Sequence, residues 1–148
     1  MVDVKMTVGT SPERVFEVLA DGWTYAAWVV GASHIRDVDK GWPARGTRIH
    51  HRVGSWPLLL DDVTKVHAVD PPRLLELEAR AWPFGTARIR LELLETSPGT
   101  TEILMSEHAT RGPGRVLPEA AQAVFLVPRN RESLRRLADL AMGREAAD

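Results

Sequence analysis

The polar side chains best suited to acid–base chemistry fall on the inner faces of two neighbouring predicted strands. Arg48 and Arg52 share one face of the first strand, so His51 should point into the protein. Lys65 marks the solvent side of the next strand, which puts Asp62 on its inner face. An imidazole beside a buried carboxylate gains a raised pKa and a fixed tautomer, which suits proton transfer. The alternatives are a structural ion pair and a solvated pair at the rim of the sheet.

The hairpin between these strands sets the distance between the two side chains. With residues 54–57 as its loop, His51 would lie opposite Leu60. His51 and Asp62 are then diagonal neighbours, about 7–8 Å apart at the backbone and within side-chain reach. We therefore expect them to form the polar end of an otherwise apolar cavity between the sheet and the last predicted helix.

A further inward carboxylate is predicted on the last strand. Ile103 and Met105 are in phase with Glu107 and share its face, although Leu104 competes with Met105 for the interior. Met105 is thus expected to contact a ligand through its apolar side chain, and Glu107 to add a second acid–base group.

The last predicted helix carries an amide among apolar residues. Asn130 interrupts an apolar stripe between Val127 and Leu134, so it should face the sheet. Alternatively, Asn130 caps a new helix after Pro128, because proline removes a backbone hydrogen bond and favours a kink or break near 124–128.

Two other polar features are expected to be structural. The adjacent residues His50 and His51 point to opposite faces of a strand, so they cannot share a metal ion. The arginine-rich stretch 129–136 also contains Glu132 and is expected to be a solvated helix face.

The tryptophans divide into two groups. Trp42, Trp56 and Trp82 each precede a proline in a turn and are expected to lock that turn or cover a sheet edge. The alternative is that they gather at one end as an aromatic cavity mouth. Trp28, beside two valines in a short helix, is expected to seal the cavity from that side.

The composition excludes several classes of protein. The chain has 148 residues, 44% apolar and 26% charged, which is typical of one globular domain, so we expect a single domain over 1–148. It has no cysteine, which excludes disulfides, thiolate catalysis and sulfur-ligated zinc. A formal net charge of -1 gives no sign of nucleic-acid binding. Phosphate-loop, dinucleotide-binding, metalloprotease and serine-hydrolase motifs are missing, so neither a metal nor a cofactor is predicted.

The N-terminal residues alternate in polarity without the apolar core of a signal peptide, and no apolar run approaches the roughly 18 residues of a membrane span. We therefore expect a cytoplasmic protein that does not insert into membranes.

The periodicity of the sequence predicts a sheet between helices. Ser11 and Pro12 open a first helix that ends near Ala20, and a short second helix covers 23–30. A long helix with an apolar stripe is predicted at about 116–142. Alternating polarity and turn residues predict an antiparallel sheet with strands at 2–8 and about 33–38, 46–53, 58–69, 73–81, 86–95 and 100–109.

This order of elements resembles the SRPBCC or START-like superfamily, and within it the polyketide cyclase/dehydrase-like branch. The resemblance covers about residues 2 to 143 and depends on four segments, Ser11–Phe16, Trp23–Trp28, Asp70–Leu74 and Arg129–Leu137. It implies an α+β helix-grip fold, in which a curved seven-stranded antiparallel sheet wraps around the long C-terminal helix, with two short helices after the first strand. It also implies a ligand cavity between sheet and helix, but no catalytic motif that could be carried over residue by residue.

Three functions are compatible with these observations. The first is a binding module for a small apolar or aromatic metabolite, lipid- or polyketide-like. The second is a cyclase or dehydratase in which His51 with Asp62 or Glu107 shuttles protons. The third is a partner-binding protein, and a homodimer is also compatible with the sequence. We favour the binding module, with ligand contacts from Trp28, His51, Asp62, Met105, Glu107, Val127 and Asn130.

Overall fold

A curved sheet provides the inner face on which the candidate site is built. The computed structural model describes residues 1–53, 60–80 and 85–147. Its strands are β1 (Val2–Val8), β2 (Ala32–Val38), β3 (Arg48–Val53), β4 (Leu60–Asp70), β5 (Leu74–Arg80), β6 (Thr86–Ser97) and β7 (Thr100–Arg111). They form one seven-stranded sheet in the order β1-β7-β6-β5-β4-β3-β2, with every neighbouring pair antiparallel. The predicted sheet is confirmed.

The helices follow the first and the last strand, as the sequence indicated. α1 (Pro12–Ala20) and α2 (Tyr25–Trp28) follow β1, joined by a 3₁₀ turn at Gly22–Thr24. A second 3₁₀ turn at Pro113–Val116 leads from β7 into α3 (Glu119–Ala147). Ser11 caps α1 as expected, since its hydroxyl oxygen accepts a hydrogen bond from the backbone N–H of Arg14 at 3.3 Å.

α3 packs its apolar stripe against the inner face of the sheet. Leu134 and Leu137 are fully buried, whereas Arg135 and Arg136 between them are exposed, as the periodicity predicted. These leucines belong to a continuous core with residues of α1, α2 and the sheet.

The predicted interruption of α3 is wrong as a break, because the helix continues through Pro128. Pro128 lies on the exposed side of the helix, as does Val124 one turn earlier, which is 69% exposed. The carbonyl that loses its hydrogen bond to the proline therefore faces solvent, where water can satisfy it. Asn130 consequently lies inside a helix and is not a cap.

The strand register divides the inner face into rows of different side-chain size. One row carries large side chains toward Glu107, namely Val66, Leu77 and Ile89, each opposite the next across the sheet. The adjacent row continues from Thr64 through small side chains, namely Ala79, Ala87 and Ala109. In the first row, the large side chains fill the space beneath α3. In the second row, the small alanine side chains leave room for a cavity there.

Candidate functional site

The predicted pair on β3 and β4 lies directly across the ladder. His51 pairs with Asp62, and Leu60 pairs with Val53, so the predicted diagonal arrangement with Leu60 opposite His51 is wrong. The register is shifted by two residues. Because side chains alternate with a period of two, this shift leaves both side chains on the inner face, where both are buried.

A hydrogen-bonded chain connects His51 to the aromatic residues of α2. His51 Nε2 lies 2.8 Å from the hydroxyl oxygen of Thr64, and the Thr64 hydroxyl donates to the Tyr25 hydroxyl oxygen at 3.1 Å. With its proton directed to Tyr25, Thr64 accepts from His51 Nε2–H. The Tyr25 ring also contacts the His51 ring, with 5.4 Å between ring centroids. We call His51, Asp62, Thr64 and Tyr25 the His51 cluster.

Burial favours the uncharged forms of His51 and Tyr25. Desolvation lowers the pKa of His51, although the Arg52 carbonyl and the Asp62 carboxylate oppose that shift. The expectation of a raised pKa is therefore wrong, because the loss of hydration outweighs the attraction of Asp62. Burial likewise raises the pKa of Tyr25 to about 12, so the phenol keeps its proton at neutral pH. The cluster thus combines a neutral imidazole with a protonated phenol, bridged by one hydroxyl.

A second polar cluster joins β7 to α3. The Glu107 carboxylate is 1% exposed, and Arg129 Nη2 donates to both of its oxygens at 2.6 Å. Asn130 Nδ2 donates to Glu107 Oε1 at 3.0 Å, and Arg129 Nε donates to Asn130 Oδ1 at 3.3 Å. We call these three residues the Glu107 cluster.

The expectation that stretch 129–136 is solvated is wrong for Arg129. Its side chain is only one third exposed, because the buried carboxylate of Glu107 draws the guanidinium inward.

A cavity of about 280 Å³ lies between the sheet and the N-terminal half of α3. Glu107 and Arg129 form its charged wall. The remaining lining is mostly small or apolar: Gly85, Thr86, Ala87, Ala109, Gly114, Leu117, Gln122, Phe125 and Leu126. Phe125 both lines the cavity and is 64% exposed, so the cavity reaches the surface beside this side chain.

The edge of the cavity depends on a glycine. Gly85 has a φ of 109°, in the left-handed region that side chains disfavour. A Cβ atom at this position would collide with the carbonyl group of Arg111. The backbones of the β6 and β7 ends can therefore approach closely at this edge only with glycine here.

The structure separates the predicted ligand contacts into three groups. Glu107 lines the cavity, and Asn130 hydrogen-bonds to it from α3. His51 and Asp62 lie together in the other cluster. The remaining three residues pack in or against the apolar core, with Trp28 also in edge contact with Tyr25: Trp28, Met105 and Val127.

Sequence reasoning missed Tyr25, Thr64 and Arg129 as site residues. Thr64 lies two residues after Asp62 on the same strand and therefore shares its inner face, so its hydroxyl was a usable signal. Arg129 precedes Asn130, which was expected to face the sheet. A long side chain next to an inward position can reach the same carboxylate from the helix flank.

Of the three tryptophan–proline turns, only the one at Trp42 lies within the described residues. The Trp42 indole N–H donates to the carbonyl of Leu19 at 3.0 Å, and the ring packs against the core. This contact ties the turn to the end of α1, in agreement with the locking role expected for it. Trp56 and Trp82 lie outside the described residues.

A curved antiparallel sheet closed by a C-terminal helix over an internal cavity defines the helix-grip class of proteins. The family model for "Polyketide cyclase / dehydrase and lipid transport" matches residues 1–141, and the chain belongs to that family. No curated protein matches the sequence significantly. Within the described residues, no helix is both long and apolar enough to cross a membrane.

Solved structures of low sequence identity share the fold. The Zhui aromatase/cyclase from Streptomyces sp. R1128 is 16% identical with a TM-score of 0.71, covering 97% of this chain and 93% of that one. A conserved protein from Geobacillus kaustophilus is 11% identical with a TM-score of 0.72, covering 95% and 94%. The di-domain ARO/CYC StfQ from the steffimycin biosynthetic pathway is 14% identical with a TM-score of 0.68, covering 99% of this chain and 46% of that one. This chain is therefore similar to about half of StfQ.

Proposed function

We propose that this protein binds a small apolar or aromatic metabolite, lipid- or polyketide-like, in the cavity between the sheet and α3. The observation that carries this proposal is the cavity itself, whose mostly apolar lining is interrupted at Glu107 and Arg129. Ligand pockets combine apolar walls with a few polar groups that orient the ligand, and this cavity has that composition.

The volume limits the ligand to a small one. About 280 Å³ lies just below the usual range for small-molecule pockets, roughly 300–1,000 Å³. One or two fused aromatic rings suit this space, and their burial would remove apolar surface from water at about 25 cal/mol per Å².

The second candidate is a cyclase or dehydratase, and the His51 cluster favours it. A neutral imidazole can accept a proton and a protonated phenol can donate one, so the cluster holds an acid and a base side by side. Thr64 bridges the two groups, with Asp62 across the ladder from His51. The family name and the aromatase/cyclase similarity support this candidate at the level of the family.

The experiment for the binding proposal uses two neutral naphthalenes, 2-ethylnaphthalene and 2-acetonaphthone, with affinity measured by calorimetry. Ala109→Leu places three additional carbons into the cavity and should weaken both affinities at least about tenfold. The matched control is Ala27→Leu on the exposed face of α2, which should bind like the natural protein.

Thermal unfolding of both variants shows whether they fold. No binding by the natural protein, or equal binding by the folded Ala109→Leu protein, would overturn the proposal. Consumption of a poly-β-ketone substrate, lost in His51→Gln, would instead favour the enzyme.

A further inference from the structure

The guanidinium of Arg129 has N–H donors without a hydrogen-bond partner among the residues that the structure describes. A guanidinium carries five N–H groups, on Nε, Nη1 and Nη2. Nη2 is engaged with Glu107 and Nε with Asn130, whereas Nη1 has no partner within residues 1–53, 60–80 and 85–147. Arg129 also lines the cavity. A ligand atom that completes this arrangement must therefore be a hydrogen-bond acceptor.

The charges around this donor decide which acceptor fits. The Glu107 carboxylate already balances the Arg129 guanidinium, at 2.6 Å from Nη2 to each oxygen. An anionic ligand at Arg129 would therefore lie beside a carboxylate whose charge the guanidinium already offsets. A neutral acceptor has no such repulsion.

We propose that Arg129 is a specificity-determining residue. Its Nη1 donors select a ligand with a neutral carbonyl oxygen, and the adjacent Glu107 carboxylate discriminates against anionic ligands. This inference rests on the proposed function and narrows it to uncharged ketones, aldehydes, esters or amides on an apolar body. Glu107 acts as a positioning residue, because its bonds to Nη2, together with the bond from Nε to Asn130, fix the plane of the guanidinium and hence the direction of Nη1.

The test compares three ligands of one shape: 2-acetonaphthone, which has a carbonyl acceptor, 2-ethylnaphthalene, which has none, and 2-naphthoate, which is charged. The natural protein should bind 2-acetonaphthone about tenfold more tightly than 2-ethylnaphthalene, since a hydrogen bond to a charged group contributes roughly that factor or more. It should bind 2-naphthoate more weakly than 2-acetonaphthone.

The variant Arg129→Lys keeps the positive charge beside Glu107 but removes the planar fork. The ratio of its affinities for 2-acetonaphthone and 2-ethylnaphthalene should therefore fall toward one. Arg131→Lys is the matched control, because Arg131 lies exposed on the same helix. It should retain the preference.

The outcomes separate this inference from the binding proposal. Equal affinities for the ketone and the hydrocarbon, a preference for 2-naphthoate, or a ketone preference that survives in Arg129→Lys would overturn the role of Arg129 and leave the cavity as a binding site. No binding of any of the three ligands would overturn both.

Discussion

The Glu107 cluster and the His51 cluster lie on the same inner face of the sheet, yet they bury polar atoms in different ways. Glu107 and Arg129 are kept as an ion pair by two hydrogen bonds of 2.6 Å. His51 and Tyr25 are kept neutral by burial and are joined through the Thr64 hydroxyl. The Glu107 carboxylate is thus paired with a guanidinium that reaches it from the helix, whereas burial favours the uncharged forms of His51 and Tyr25.

This difference suits the two clusters to the two proposed roles, ligand binding and proton transfer. The ion pair has a fixed geometry and one side on the cavity, which suits orienting a ligand. The uncharged His51 and Tyr25 side chains can accept or donate a proton, which suits proton transfer. Substitutions in each cluster can be compared through their effects on the free energy of unfolding.

The largest effect is expected from Arg129→Met, which leaves the Glu107 carboxylate buried with Asn130 as its remaining partner in the cluster. Breaking a buried ion pair costs about 3–5 kcal/mol, and partial exposure of Arg129 favours a value near 3 kcal/mol. The free energy of unfolding in urea measures it.

Two matched variants test the origin of this loss. Arg131→Met removes an exposed arginine from the same helix and should change stability by less than about 0.5 kcal/mol. Adding Glu107→Leu to Arg129→Met should recover most of the lost free energy of unfolding, because no buried charge then remains unpaired. A double variant as unstable as the single one would contradict the account of the ion pair.

A smaller loss is expected in the His51 cluster from Thr64→Val. The change keeps the shape of the side chain but removes the hydroxyl that joins His51 to Tyr25. Unsatisfied buried polar groups cost roughly 1–3 kcal/mol, so we expect about 2 kcal/mol by chemical denaturation. Thr7→Val on the exposed face of β1 is the control. Equal stability of the two variants would show that the hydrogen bonds of the Thr64 hydroxyl contribute nothing to the free energy of unfolding.

The neutral state of His51 predicts how stability depends on pH. The folded-state pKa of His51 lies below its ordinary value of 6.5, so the unfolded chain takes up a proton first as the pH falls. The contribution of the uncharged His51 to the free energy of unfolding is therefore complete above about pH 6.5 and is lost as the pH falls toward the folded-state pKa.

His51→Gln should therefore flatten the plot of unfolding free energy against pH just below 6.5. The matched control is His34→Gln, a substitution of an exposed histidine on the edge strand β2. An equal flattening in both variants would rule out burial of His51 as the cause.

The finest test concerns the coupling across the ladder. The Asp62 carboxylate raises the pKa of His51 against the larger effect of burial. Asp62→Asn should consequently lower that pKa further, as followed by NMR titration of the His51 ring. An unchanged titration would mean that the two side chains, although paired in register, do not interact.

The fold could be predicted from the sequence because its signals are local. The alternation of β1 and the capping residues Ser11 and Pro12 define their elements without help from distant parts of the chain. The stripe that includes Leu134 and Leu137 is likewise periodic within one helix. The break expected at Pro128 failed because its cost depends on whether the freed carbonyl meets solvent, which only the packed helix decides.

The site was predictable in phase but not in contacts. Alternation placed His51, Asp62 and Glu107 inward, and all three are buried. Their partners depend on long-range register and on side-chain reach, neither of which periodicity contains. Arg129 reaches Glu107 from 22 residues away along the chain. The pKa of His51 was misjudged for the same reason, since the depth of burial was unknown.

The position of the cavity also depended on register. The space beneath α3 arises where Ala79, Ala87 and Ala109 are aligned across three strands. A single alanine in a strand does not predict a cavity. The space forms because small side chains from neighbouring strands are aligned on the inner face.

The most direct measurement of the central claim is methyl NMR during titration with 2-acetonaphthone. The methyl groups of Ala87 and Ala109 line the cavity, whereas that of Ala27 lies exposed on α2. The account predicts saturable shifts of the Ala87 and Ala109 signals and none for Ala27. Unchanged Ala87 and Ala109 signals, or shifts confined to the exposed side chains of Val116 and Val124, would contradict ligand binding between the sheet and α3.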